Sequence, residues 1–376
     1  MSGIYIHIPF CKQACNYCDF HFSTSLQNKE ALVKSLVTEL ELRKNYLTHK
    51  TIETIYFGGG TPSLLSEKEI ATLLEKIYLQ YNVSANAEIT LECNPDDLSN
   101  TKLQELKNGN INRLSIGLQS FNEVELQWMN RAHTATESES SVKRAQDKGF
   151  ENITIDLIYG SKFSTMSNWK QTLQKALDLQ VTHISSYNLT VEEKTKLGHD
   201  VAKKKESNID EEKSAELFLE MIELLQKNKF IHYEISNFGK DGFFSKHNSN
   251  YWKGTHYLGI GPSAHSFDGS SRQWNVSNNN SYINKLNTAD LSFFEAEQLT
   301  PANQFNEYVL TSLRTMWGID DNYLKQKFST EYYTTFKSLI EQYIQKGEVV
   351  FENNAYVLSS KGKLIADKIA SELFVD

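Results

Sequence analysis

Long apolar runs are missing from this chain. Nothing approaches the roughly 20 consecutive apolar residues of a membrane-spanning helix. The opening stretch, Met1-Ser2-Gly3-Ile4-Tyr5-Ile6-His7-Ile8, lacks the basic head and apolar core of a secretory signal. There is no excess of positive charge: 39 Lys and Arg face 47 Asp and Glu, for a net charge of -8. That balance argues against a nucleic acid or an anionic membrane as the main partner. Cysteine is scarce too, four in 376 residues. The expectation is a cytoplasmic protein whose thiols stay reduced. What is present is an ordinary globular composition, 39% hydrophobic and 11% aromatic, enough for a sizeable core. The length suits about two domains, or one large α/β barrel with an addition.

Short β-rich runs alternate with amphipathic helical stretches. The runs are Ile4–Ile8, Thr54–Phe57, Ala87–Glu92, Arg113–Gly117, Ile153–Ile158 and His183–Ser186, with a seventh expected at Ile231–Ile235. One intervening helix puts Leu32, Leu36 and Leu40 on a single face. Another opens with the capping box Ser66-Glu67-Lys68-Glu69 and buries Ile70, Leu73, Leu74 and Ile77. A later one carries Ala215, Phe218, Leu219 and Ile222. This alternation predicts an α/β fold of parallel βαβ units, a full or partial barrel, over residues 1–236. Residues 237–290 are expected to form a loop-rich extension, with turn signals such as Gly239-Lys240-Asp241-Gly242 and Ser277–Ser281. Residues 291–376 read as helices, a hairpin turning at Asn353-Asn354, and a last helix Ser360–Phe374. That order predicts a small winged-helix-like α+β domain. It lacks a basic run, so packing or partner contact suits it better than DNA.

Three of the four cysteines, Cys11, Cys15 and Cys18, fall just after the first strand. In a reducing compartment such a set reads as a metal or cluster site. Three thiolates can hold three irons of a 4Fe-4S cluster and leave the fourth iron open to a small molecule. Zinc is the alternative, with His7 or His21 as fourth ligand. Gly58-Gly59-Gly60-Thr61-Pro62-Ser63 follows the second strand. It is either a ligand cradle of free backbone groups or simply a tight strand-to-helix turn. In parallel barrels chemistry gathers where strands end. Glu92 with Asn94-Pro95, Gln119, Asp156, and Tyr187, Asn188 and Thr190 fall at or near the ends of the next four strands, with Arg131 just downstream of Gln119. Taken singly, each also suits a turn cap or a surface ion pair. Cys93 reads as a small buried hydrophobe.

The Cys-x3-Cys-x2-Cys loop, the Gly-Gly-Gly-Thr-Pro turn and Glu92-Cys93-Asn94-Pro95 together resemble radical S-adenosylmethionine (SAM) proteins. More narrowly, they resemble the oxygen-independent coproporphyrinogen III dehydrogenase group and its haem-chaperone relatives, over nearly the whole chain. The resemblance implies a partial (β/α)6 radical SAM barrel with a C-terminal winged-helix-like domain. It implies a 4Fe-4S cluster on Cys11, Cys15 and Cys18. It places Tyr5, Gly59, Gly60 and Thr61 against the methionine part of SAM, Glu92, Gln119, Arg131 and Asp156 around its carboxylate, sulfonium or ribose, and Thr190 near the adenine. These residue types suit such a ligand, because an arginine fork pairs with an anion and carboxylates accept from hydroxyls or an ammonium. The dehydrogenases carry a further cysteine two residues after the third; here Asp19 and Phe20 follow Cys18. They also carry an N-terminal extension, whereas only Met1-Ser2-Gly3 precede the first strand.

Both departures favour the chaperone branch, whose implied role is to bind haem and pass it to an acceptor protein, a respiratory-chain haem protein being one candidate. The dehydrogenase remains the alternative, so whether the chain is an enzyme stays open. His247-Asn248-Ser249-Asn250-Tyr251-Trp252 matches the HNxxYW pattern associated with that branch. His247 is the expected haem ligand, with Tyr251 and Trp252 covering the macrocycle. His265 is a second ligand candidate. The same residues also suit a folded loop with a satisfied histidine and two packed aromatics.

Overall fold

The computed structural model describes residues 2–376. Six strands, β1 (Ser2–Ile8), β2 (Thr51–Gly59), β3 (Asn82–Cys93), β4 (Arg113–Gln119), β5 (Asn152–Tyr159) and β6 (His183–Asn188), pair in parallel in chain order. Helices cross between them, as parallel pairing requires. All six runs read from the sequence are strands. Their alternation buries Ile4, Ile6 and Ile8, then Ile55 and Phe57, then Ile89 and Leu91, and later Ile153, Ile155 and Leu157 against the helices. The capping box at Ser66 forms as predicted. The chain has an α/β architecture, a run of parallel strands with a cavity at their C-terminal ends.

The segment expected to be loop-rich extends this sheet. The expected seventh run is β7 (Ile231–Glu234), and β8 (Asn237–Gly239) follows, pairing antiparallel with both β6 and β7. Then β9 (Tyr257–Ile260) pairs parallel with β1, on the edge opposite β2. The strands β10 (His265–Phe267), β11 (Ser271–Asn275) and β12 (Phe294–Gln298) continue outward in antiparallel pairing. Strands of three to five residues carry too little alternation to stand out from turn residues. Two smaller readings also shift. Leu219 is exposed, and Leu217, Phe218, Met221, Ile222 and Leu225 form the buried face of helix Glu211–Lys227. The last helix is two, Ser360–Lys363 and Ala366–Glu372, broken at Ile365.

A second core, including Phe305, Val309, Phe336, Ile340, Tyr343 and Ile369, lies under helices and a three-stranded sheet. That sheet has β15 (Ala355–Leu358) between β13 (Ile319–Asp320) and β14 (Val349–Glu352). The turn at Asn353 and Asn354, with φ of 48° and 63°, has the left-handed backbone that favours a tight hairpin.

One buried polar knot ties the late strands to the first helix, Lys29–Leu42. The Glu39 carboxylate is fully buried. It accepts from Gly261 N–H (2.8 Å), the Asn275 amide (2.8 Å) and the Tyr282 hydroxyl, and pairs with Arg43 at 3.2 Å. Arg43 in turn donates to the Gly259 carbonyl (3.2 Å), Ser266 (3.1 Å) and Gln273 (2.7 Å). Truncating one partner strands the others in a dry interior. Glu39→Ala should therefore lower unfolding free energy by about 3–5 kcal/mol. Glu41→Ala, on the solvent side of the same helix, should leave the urea midpoint close to wild type. Equal midpoints for all three proteins would refute this account.

Candidate functional site

Beyond β1 the chain forms a pinned loop. Cys11 N–H donates to the Ser23 carbonyl (3.0 Å) and Ser23 N–H to the Pro9 carbonyl (2.9 Å). Asn16 anchors the middle: its N–H donates to the Met129 carbonyl (3.1 Å), its amide to that of Trp128 (2.6 Å), and its own carbonyl accepts from Leu197 (2.8 Å). Lys12 pairs with Asp96 at 2.8 Å and with Asp97. Cys11, Cys15 and Cys18 are free, half-buried thiols facing one cavity of about 380 Å³. Burial pushes the Cys18 thiol up to about 11 and raises that of Cys11.

The donor set fits an iron–sulfur cluster. Each thiolate then takes its own iron, so the three need only face one cavity. A single zinc ion fits less well. His7 is buried with Nδ1 bonded to Tyr5 (3.1 Å) and Nε2 to the His21 carbonyl (3.0 Å), and His21 Nε2 is bonded to Asn279 (2.8 Å). Among the described residues no three His, Cys, Asp or Glu side chains converge on one ion-sized point. Cys93 is buried in β3 and points its thiol at the Leu91 carbonyl. It nonetheless contributes to the cavity wall.

The glycine turn is shaped by that loop. A Cβ on Gly60 would lie 2.7 Å from the Phe10 carbonyl and 3.0 Å from Cys11 Sγ. One on Gly59, whose φ is 113°, would lie 2.6 Å from the His7 ring. The run is therefore more than a generic turn, since the cysteine loop can approach only where side chains are absent. Along the same cavity lie Thr61, Glu92, Gln119, Arg131, Asp156 and Thr190. Tyr5 sits beneath them, its ring 6.1 Å from that of Tyr56. Sequence reasoning missed Tyr56, Ser115, Ser185 and Asn248, which also line the cavity. Tyr56 and Ser115 lay in predicted strands, on the face opposite the apolar residues that alternate with them, and Asn248 belongs to the histidine motif.

Several of these groups are prepared for a ligand. Glu92 accepts from Gly59 N–H (3.0 Å) and the Tyr56 hydroxyl (2.8 Å), yet burial, with Asp156 adding repulsion, raises its carboxyl to about 7. Burial likewise raises Asp156 to about 6, while Ser115 lies 3.3 Å from its carboxylate. Arg131 donates to Asn94 (2.9 Å) and the Gly117 carbonyl (2.7 Å) and lies 3.4 Å from Cys15 Sγ, while its buried Nε has no partner. Gln119 adopts φ of 65° where the strand register shifts. Such left-handed backbone on a non-glycine residue costs on the order of 1 kcal/mol and clusters at binding sites.

The histidine motif differs from expectation. His247 lies on the short helix Lys246–Trp252 and is 2% exposed. Its Nδ1 is bonded to Thr54 (2.8 Å) and its Nε2 to the Tyr251 hydroxyl (3.0 Å), and its ring stacks 4.9 Å from Tyr56. Burial lowers it to about 3, so the imidazole is neutral. Both nitrogens are engaged, and no open face remains for a macrocycle. Glu88 holds the helix start, accepting from the Lys246 and His247 N–H groups at 3.0 Å each. The helix is a partition: Asn248 faces the cysteine cavity, while Tyr251 and Trp252 face a separate groove. His265 is exposed beside Trp274 and lines neither.

A carboxyl raised from 4.5 to about 7 binds its proton more tightly in the folded chain than in the unfolded one. Its contribution to the stability of the ligand-free protein therefore falls as pH rises through that window. Asp156 acts with the same sign, and the buried, neutral His247 with the opposite one. Subtracting Glu92→Gln from wild type isolates Glu92. The two should match at about pH 4, and the variant should be the more stable at about pH 8. Urea midpoints across that range test this, and a pH-independent difference would count against it.

Residues 5–176 match the model of the radical SAM superfamily. The chain is 32% identical to "Heme chaperone HemW" of Bacillus subtilis, over 98% of each chain. It is also 32% identical to the protein of that name from Lactococcus lactis, over 100% of this chain and 98% of the relative. Among solved structures it is similar to the coproporphyrinogen III oxidase HemN of Escherichia coli, with a TM-score of 0.86 and 22% identity over 100% of this chain and 90% of that one. That last likeness is one of fold. With relatives matched along nearly their whole length, the chain belongs to the HemW heme chaperone family within the radical SAM superfamily.

Proposed function

We propose that this chain binds haem and delivers it to an acceptor protein, on a scaffold that carries a 4Fe-4S cluster and SAM. The observation that carries the proposal is one cavity where three free thiols meet a ring of polar strand ends, in a chain matched end to end by proteins named heme chaperones. Cys11, Cys15 and Cys18 are the cluster ligands. When bound and reduced, a cluster with an open iron supplies one electron to the SAM sulfonium. The chain's own residues do the positioning. The Gly59-Gly60-Thr61 turn offers backbone groups to the methionine end, with Tyr5 beneath. The free Nε of Arg131 and the amide of Gln119 donate to the carboxylate. Glu92 and Asp156 accept from the ammonium or ribose hydroxyls, and Thr190 borders the adenine.

Residues 1–236 form the cofactor-binding unit, 237–290 join it to the haem site, and 291–376 form the winged-helix-like unit available to a partner. The site of action is the cytosol, which keeps the cluster thiols reduced. No helix among the described residues is long and apolar enough to cross a membrane.

Anaerobic reconstitution should give one 4Fe-4S cluster per chain, measured by iron and sulfide analysis. Cys11→Ala, Cys15→Ala and Cys18→Ala should each abolish it, and Cys93→Ala should retain it. Loss of the cluster with Cys93→Ala alone would mean the ligands are misassigned. The reconstituted protein should bind haem and fail to convert coproporphyrinogen III with SAM and a reductant. The motive is Phe20, 68% exposed at the cavity edge where the dehydrogenase pattern has a further cysteine. Conversion at an enzymatic rate would replace the chaperone reading with the dehydrogenase one.

A further inference from the structure

A groove of about 730 Å³ runs between the late strands and the winged-helix-like unit. Its volume lies within the range of small-molecule sites. Trp252, Tyr257, Phe267, Tyr308, Trp317 and Tyr323 give it aromatic walls. Arg272 of β11 pairs with Glu307 of the helix Pro301–Leu313 at 2.6 Å, joining one wall to the other. Lys253 and Lys327 also line the groove, and neither has a carboxylate partner among the described residues. Lys253 lies 4.3 Å over the Trp317 ring.

His256 completes the set. It lines the groove, is half-buried, and neither ring nitrogen is hydrogen-bonded among the described residues. Burial lowers its pKa from the usual 6.5, which leaves the imidazole neutral with a free lone pair. Gly269 lies against its Nε2. Gly269 has φ of 93° and no side chain, and a Cβ there would lie 2.5 Å from that nitrogen. His247, by contrast, is sealed, with both ring nitrogens bonded.

We propose that this groove is the haem site, with His256 as the axial ligand and Lys253 and Lys327 as partners for the propionates. The assignment rests on the haem-binding reading above. The chemistry selects the occupant. Flat aromatic walls suit a planar macrocycle. Two unpaired ammonium groups suit two carboxylates. A neutral, unbonded imidazole suits a metal centre with an open axial position. The motif helix then serves both cavities. Tyr251 and Trp252 border the haem, Asn248 borders the cluster cavity, and His247 holds the two sides together through Tyr56 and Tyr251.

The test is titration of ferric haem into the full chain, followed by the Soret band. Wild type, His256→Ala and the double variant Lys253→Glu with Lys327→Glu are compared, with thermal melts as folding controls. His256→Ala should shift the Soret band and weaken binding by at least about tenfold, and added imidazole should restore the band. The double lysine variant should keep the wild-type band position and weaken binding by about three- to tenfold. Wild-type affinity and spectrum in both variants would overturn the groove assignment while leaving haem binding intact. A wild-type chain that takes up no haem would overturn the haem reading itself, and this assignment with it.

Discussion

At the ends of β1 and β2 two stretches of backbone touch, and the site is built outward from that contact. Gly60 N–H donates to the Ile8 carbonyl at 2.9 Å, and the cysteine loop passes where a Cβ on Gly60 would collide. Parallel pairing of Tyr5 with Tyr56 and of Ile8 with Gly59 sets the register. A one-residue slip would turn every inward side chain outward. Because the register is held, the three thiols, the glycine turn and the tip of β3 share one cavity.

Electrostatics follow from that closeness. Glu92 enters the cavity from β3 and accepts from the glycine turn and from Tyr56, so one carboxylate couples two neighbouring strands. It does so in a dry setting, which favours its protonated form, and Asp156 two strands away behaves alike. Arg131 counters Asp156, and lies 3.4 Å from a cysteine sulfur with one donor unspent. A pocket holding buried carboxyls, an arginine and free thiols suits a ligand that brings both an ammonium and a carboxylate.

The partition helix carries the same logic to the far side. Its start is held by Glu88, which lies 3.8 Å from the buried Arg113, and its histidine stacks on Tyr56, which touches Glu92. The wall between the cysteine cavity and the aromatic groove is therefore a continuous hydrogen-bonded and stacked path. Occupancy on one side and order on the other share residues, chiefly Tyr56, His247 and Tyr251.

Period-two runs and helix faces were legible in the residues, and so the six parallel strands were too. Each half-buried element shows its own pattern locally, as Ile4, Ile6 and Ile8 do. The cysteine spacing and the glycine run were legible because their chemistry needs neighbours in sequence. The strands at Tyr257–Ile260 and His265–Phe267 were not, since three or four residues paired to an edge carry no period of their own. His247 shows the limit most clearly. As a residue type it can ligate iron or fill a core, and nothing beside it in the chain chooses. Thr54 and Tyr56 from β2 chose, by taking its Nδ1 and its ring face, and Tyr251 one turn along took its Nε2. The sequence by itself determined an α/β barrel of the radical SAM kind with three clustered cysteines at its rim. Only the tertiary structure decided which histidine is sealed and which is free, because burial and hydrogen-bond partners come from elements far apart in the chain.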